Sequence, residues 1–244
     1  GSVAFLLDER LLAFLFAVAG IYNTVQFTDF PTRANAIADE IATHVPDLIG
    51  LQEVSNWTSF GPGAIAPSLD FLAILQQALA DRGLAYSVAA VSDNANIGPV
   101  PLLFPCGGPL GACFLSFQDR DVILVNDDTS DLAISNPQSG SYATQQILAT
   151  PVGSLSFSRG WCSVDGSLDG KKFRFVNTHL ETEDFPAVQE AQGREFLAGP
   201  AKAGGAVIAT GDFNSAADGS TTTTYADLTK SYFDDAWDTN PGDP

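Results

Sequence analysis

The sequence has no methionine, two histidines and three cysteines, and only 11 Lys plus Arg against 29 Asp plus Glu, a net charge of −18 over 244 residues. Each shortage excludes something. A chain without methionine is not an intact translation product, so a processed chain, an expressed piece or a fragment is expected. Zinc is excluded, because Cys106 and Cys113 do not have a zinc-ligand spacing and His44 and His179 are the only histidines. The shortage of base excludes a protein that holds nucleic acid by bulk attraction. It does not exclude a phosphate substrate held by a bound cation, because the ion supplies the local positive charge. A Gly-x-Ser-x-Gly elbow is absent, which argues against a serine hydrolase. The apolar run Leu11 to Tyr22 is shorter than the roughly 20 residues a spanning helix needs. It follows Asp8-Glu9-Arg10 rather than a basic leader. It reads as a buried amphipathic helix, so no stable membrane insertion is expected.

What is present suffices for a core: 45% of residues are apolar and 10% aromatic, which excludes disorder as the main state. The length suits one domain over residues 1–244. Cys106 and Cys113 bracket a Gly- and Pro-rich loop that either closes on a local disulfide or leaves two reduced thiols, and Cys162 reads as a buried thiol. Asn56-Trp57-Thr58 is a glycosylation sequon, a pattern that often occurs by chance, while acidity, few lysines and a possible disulfide together lean towards a secreted protein.

Apolar spacing at Ala34, Ile37, Ala38 and Ile41 predicts a helix from about Thr32 to His44, capped by Thr32 or Asp29 and stopped by Pro46. Leu69 to Arg82 and Pro186 to Leu197 read as further helices. Leu48 to Val54, Ala85 to Ala90, Val122 to Val125 and Ala206 to Ala209 read as strands, with weaker strands at Gln145 to Leu148 and Ser154 to Ser158. Gly160–Asp165 and Phe173–Asn177 flank Asp169-Gly170, a hairpin signal. Ala95 to Gly111 reads as loop. The expectation is an α/β domain of packed sheets covered by helices.

Three apolar strands end in polar residues: at Gln52-Glu53, at Asn177-Thr178-His179, and at Gly211-Asp212-Phe213-Asn214. Strand ends fix side-chain positions while the loops beyond them leave a cleft open. If the three strands are neighbours, Glu53, His179, Asp212 and Asn214 converge. Two carboxylates, an imidazole and an amide suit a hard cation such as Mg²⁺, with Mn²⁺ or Ca²⁺ as substitutes, better than zinc.

The runs Pro46 to Val54, Asn177-Thr178-His179-Leu180 and Gly211-Asp212-Phe213-Asn214-Ser215 resemble the endonuclease/exonuclease/phosphatase superfamily over roughly residues 30 to 215. The resemblance implies a four-layer α/β/β/α sandwich, with two packed mixed β-sheets flanked by helices. It also implies Mg²⁺-dependent cleavage of a phosphoester by an activated water. Carried over, Glu53 is the metal ligand; Asp212 binds metal and orients or deprotonates the water. Asn214 donates to phosphoryl oxygens or holds a metal-bound water, and His179 stabilises the transition state. Arg159 resembles a phosphate-contacting arginine. Asp121, with Asp119 as its competitor, resembles an acid that orients a catalytic histidine.

The sequence also departs from the family pattern. The family opens on a strand ending in a metal-binding Asn, and nothing before Leu11 reads as that strand; Asn23 follows a helical run. The family closes on an Asp-His pair, and no histidine follows His179. The expectation is a domain truncated at both ends, with little turnover in this piece, or else an inactive member of the fold acting as a binding module. The substrate classes left open are a small organophosphate, a phospholipid head group or nucleic acid. His44 reads as a helix-end residue, and Asp127-Asp128, Glu181-Glu183-Asp184 and Asp234-Asp235 read as solvated acidic faces.

Overall fold

The computed structural model describes residues 9–61, 68–102, 113–151, 153–230 and 232–240. The helices are α1 (Glu9–Phe27), α2 (Phe30–His44), α3 (Phe71–Ala80), α4 (Pro186–Ala198), α5 (Thr224–Thr229) and α6 (Ala236–Thr239). The strands are β1 (Leu48–Leu51), β2 (Asn56–Phe60), β3 (Leu69–Asp70), β4 (Tyr86–Leu102), β5 (Cys113–Asn126), β6 (Leu132–Ser141), β7 (Ile147–Thr150), β8 (Gly153–Ser156), β9 (Gly160–Leu168), β10 (Lys171–His179) and β11 (Ala206–Asp212).

Two sheets dominate, and β7 and β8 form a separate ribbon. In the five-stranded sheet the long β5 pairs with β1 through Val122–Val125, with β2 through Phe114–Gln118, and with β4 along nearly its whole length. Every pair in this sheet is antiparallel, which corrects the expectation of two mixed sheets. The four-stranded sheet, ordered β11-β10-β9-β6, is mixed, because β10 and β11 run parallel.

Alternation along the strands explains the layering. On β5, Val122 and Leu124 face α2 and α3, packing with Ala34, Ala38, Leu75 and Leu79. Ile123 between them faces the other sheet, packing with Cys162, Val164 and Phe175. On β10, Val176 turns from that inter-sheet core to a third cluster with Phe196 of α4 and Leu228 of α5. Side chains on a strand alternate between faces, so each sheet is apolar on both. The order is helices, sheet, sheet, helices. The two sheets meet closely at Gly50, where an added Cβ would lie 2.2 Å from Thr210 Oγ1 and 2.7 Å from Asn177 Oδ1.

α2 begins at Phe30, with Asp29 at the N-cap in the left-handed region and Pro31 in the first turn. Asp29 makes no side-chain cap bond; instead its carboxylate accepts from the Thr32 hydroxyl. α3 is shorter than expected and is capped by Asp70, which accepts from Leu72 N and Ala73 N at 3.1 and 3.4 Å.

α1 departs most from expectation. It spans 19 residues and buries only Leu15, Ala19 and Tyr22, of which Ala19 and Tyr22 pack with Leu102, Cys113 and Leu115. It is long and apolar enough by length and composition to cross a membrane, a test that a core helix or signal sequence also passes. Asn23 lies within it rather than at a strand end.

Residues 95–102, expected as loop, continue β4, and β2 and β6 lie where the sequence carries no strand signal. Cys162 is a free buried thiol, pushed up to about 12 by burial. Cys113 is disulfide-bonded, while Cys106 and the rest of its loop lie outside the described residues.

Candidate active site

β9, β10 and β11 end in one row. Gly160, His179 and Asp212 are register partners across the three strands, so Arg159, His179 and Asp212 arrive at the same edge. Arg159 Nη1 lies 3.0 Å from His179 Nδ1 and 3.1 Å from Nε2. His179 Nε2 lies 3.9 Å from Asp212 Oδ2. Burial, reinforced by the Arg159 charge, pushes the imidazole down to about 4 against the opposing pull of Asp212. It is therefore neutral at pH 7 and accepts a hydrogen bond from Arg159 through its unprotonated nitrogen.

The Asp212-Asn214 turn is built by its own side chains. Asp212 Oδ1 accepts from Asn214 N at 3.0 Å, and Asn214 Nδ2 donates to Leu180 O at 2.9 Å. Asn214 takes φ 47°, a conformation asparagine tolerates. At Gly211 a Cβ would lie 2.3 Å from Thr178 O, so only glycine lets β11 run this close to β10. About half of the Asp212 side chain is open to solvent, and its Oδ2 is the oxygen nearest His179.

Glu53 comes from the other sheet. It follows β1 with φ 54°, an uncommon conformation for a glutamate and one found disproportionately at functional sites. The backbone after it is clamped to β5: Val54 N donates to Arg120 O at 2.8 Å and Arg120 Nε donates to Val54 O at 2.9 Å. Arg120 also pairs with Asp70, the residue that caps α3.

Asp119 and Asp121 project from the same face of β5, beside Glu53. A register shift between Asp93 and Ala95 turns Asn94 inward, and its Nδ2 donates to Asp121 Oδ2 at 2.7 Å. Bulges re-aim side chains in this way. Asp121 Oδ1 is buried without a hydrogen-bond partner. Burial raises both carboxyls, Asp121 to about 7; the Asn94 bond and Arg159 oppose the rise, while Glu53 adds to it at Asp119 and Asp119 at Asp121.

The site residues therefore form a line. Glu53, Asp119 and Asp121 occupy one end, Arg159 and His179 the middle, and Asp212 with Asn214 the other. Asp121 is held by Asn94, and none of its hydrogen bonds among the described residues goes to His179, so it does not orient that ring. Asp212 and Arg159 are the neighbours that do.

Two residues here carry no sequence signal for the role they take. Asn94 lies between the expected strand Ala85 to Ala90 and the expected loop from Ala95, in residues that carry no reading. Glu181 reads as part of a solvated acidic face, yet it is 4% exposed and its Oε1 lies 3.4 Å from Arg159 Nη2. The reading fails because a run of acids looks solvated unless the buried arginine that pairs with one of them is known.

Among the described residues no three His, Cys, Asp or Glu side chains form a metal cage. Mg²⁺ needs less, since it binds through one or two carboxylates and keeps its waters. The exposed Glu53 carboxylate, the neighbouring Asp119, the unpartnered Asp121 Oδ1 and the absence of thiolate fit such a cation.

The model of the Endonuclease/Exonuclease/phosphatase family matches residues 21–244. A comparison with curated proteins finds no match. Among solved structures, an endonuclease/exonuclease/phosphatase family protein from Leptotrichia buccalis matches with a TM-score of 0.54 at 17% identity, covering 82% of this chain and 66% of that one. One from Bacteroides thetaiotaomicron gives 0.52 at 16% identity, covering 84% and 63%. A mannosyl-6-phosphatase from the same species gives 0.50 at 14% identity, covering 84% and 65%. The likeness is one of fold, and the chain spans less than two thirds of the length of each of these structures.

Proposed function

This chain belongs to the endonuclease/exonuclease/phosphatase family, and on that premise we propose that it is a divalent-metal-dependent hydrolase of a phosphoester bond, acting through an activated water. The observation that carries the reading is the contact line Arg159–His179–Asp212 at the aligned ends of three adjacent strands. It sets an arginine, a neutral imidazole and an open carboxylate along one edge.

Each group has a task suited to its surroundings. Arg159 is fixed by Glu181 and aims a guanidinium whose Nε has no partner of its own. It meets the charge that grows on the non-bridging phosphoryl oxygens. His179, neutral at pH 7, donates one ring N–H to the same oxygens while accepting from Arg159. Asp212 keeps Oδ1 on the Asn214 amide and offers Oδ2 to orient the attacking water and take its proton. Asn214 spends one amide hydrogen on Leu180 O and has the second for a phosphoryl oxygen. Glu53, with Asp119 beside it, would hold the cation, Mg²⁺ or in its place Mn²⁺ or Ca²⁺, while Asp212, at the other end of the line, serves the water. The ion supplies charge stabilisation and a more acidic bound water.

The test is hydrolysis of bis-p-nitrophenyl phosphate and p-nitrophenyl phosphate by the intact protein with Mg²⁺ or Mn²⁺. Turnover that a chelator abolishes, and that falls at least about 100-fold in His179→Ala and Asp212→Ala, upholds the reading. A folded protein that binds the metal and hydrolyses neither ester is instead a binding module on the same fold.

A further inference from the structure

The cavity beside Glu53 has walls that hydrolysis alone does not require. It encloses about 310 Å³ and is lined by Glu53 and Arg159 together with the rings of Trp57, Phe117 and Phe157. Trp57 and Phe117 are register partners on β2 and β5, with centroids 4.3 Å apart and planes tilted by 41°. Arg33, in the first turn of α2, lines the same cavity. Its guanidinium carbon lies 5.9 Å from the centre of the Phe30 ring, and among the described residues no carboxylate lies within ion-pair distance of it. Arg33 is exposed, so its charge is free to meet a substrate entering the cavity. Arg159 adds a buried Nε that also has no partner.

We infer that this cavity seats a planar aromatic group carried by the phosphoester, with the phosphate against Arg159 and with Arg33 as a second contact for the substrate's negative charge. The inference rests on the phosphoesterase reading above and names its substrate class: a small aromatic phosphoester, in preference to a lipid head group or a polymer. Rings packed edge-to-face or offset attract one another beyond the effect of their buried area, so three ring walls favour a flat ring over a chain. The volume lies at the lower end of the roughly 300–1,000 Å³ of small-molecule pockets, enough for one ring system and too little for a pair of acyl chains.

The test measures binding of phenylphosphonate and methylphosphonate to the intact protein with Mg²⁺ by calorimetry. Neither compound is a substrate, so the result does not depend on catalysis. Phenylphosphonate should bind at least about tenfold more tightly than methylphosphonate, a preference that falls at least about threefold in Phe157→Ala. Arg33→Ala should weaken both compounds by a similar factor. Equal affinity for the two compounds, or no binding of either, overturns the inference and leaves the hydrolase reading to the nitrophenyl ester assay. A tenfold phenyl preference in a protein that hydrolyses no ester upholds the aromatic pocket and overturns the hydrolase reading.

Discussion

Gln52 and Asn177 lie on different sheets and are joined by a hydrogen bond of 2.6 Å from Gln52 Nε2 to Asn177 Oδ1. Asn177 Nδ2 donates in turn to Leu51 O at 2.9 Å and Val122 O at 3.2 Å. One fully buried amide therefore ties the end of β1, which delivers Glu53, to the end of β10, which delivers His179. Asn177→Ala strands two buried carbonyls and the Gln52 amide at about 1–3 kcal/mol per unsatisfied group. The expected loss is about 2–4 kcal/mol in urea unfolding. Activity should fall more in this variant than in a core variant of equal stability cost, because the two halves of the site lose their alignment.

The same junction explains Gly50. Gly50→Ala places a methyl 2.2 Å from Thr210 Oγ1 and 2.7 Å from Asn177 Oδ1, so these side chains or the strands that carry them must shift. Overpacking of this kind costs about 1–3 kcal/mol or more. Adding Thr210→Ala should recover part of that loss and not all of it, since the Asn177 contact persists. Thermal unfolding of the single and double variants tests the coupling; strict additivity would show that the two positions do not meet.

Much of this arrangement was legible in the sequence, and the parts that were not have physical reasons. The ends of β1, β10 and β11 stand out because a buried strand reads as an apolar run and its polar terminus is abrupt. The Asp169-Gly170 turn sets the β9–β10 hairpin for the same reason of local chemistry. β6 is unmarked because it is an edge strand whose residues 136–140 read Asn-Pro-Gln-Ser-Gly, and Asn136 and Pro137 fall in a break in its register. The second half of β4 is unmarked because Gly98 and Pro99 sit in another such break. Asn94 and Glu181 owe their roles to partners more than 20 residues away, which no local pattern reports.

Glu181 separates charge from packing. Its Oε1 accepts from Thr182 N at 3.0 Å as well as from Arg159, and its backbone N–H donates to Gln192 Oε1 at 2.7 Å. Glu181→Gln keeps an oxygen for both donors, so the fold should persist with activity reduced less than about tenfold. Glu181→Ala leaves Arg159 buried without its carboxylate, and breaking such a pair costs about 3–5 kcal/mol. Chemical unfolding with parallel ester hydrolysis distinguishes the two. An alanine variant as stable as the glutamine variant would show that Arg159 needs no acceptor from position 181.

The acid limb of stability is set partly by Asp165. Arg174, its cross-strand partner, bonds its carboxylate at 2.9 Å, and Asn136 donates to it at 2.7 Å. First the Arg174 hydrogen bond and then the Asn136 bond hold this carboxyl below the ordinary carboxylate range. A depressed folded pKa means the unfolded chain binds the proton more readily. The stabilisation is therefore present above the unfolded value of about 4 and is lost as pH falls through the folded value. Because 37% of the Asp165 side chain and 18% of Arg174 face solvent, screening limits the contribution to under about 1 kcal/mol. Asp165→Asn should lower the unfolding free energy at pH 7 by that small amount, and the gap to the parent should close as pH falls below about 4. A gap that stays constant across this range would mean that the Asp165 charge contributes nothing and that the variant acts only through its hydrogen bonds.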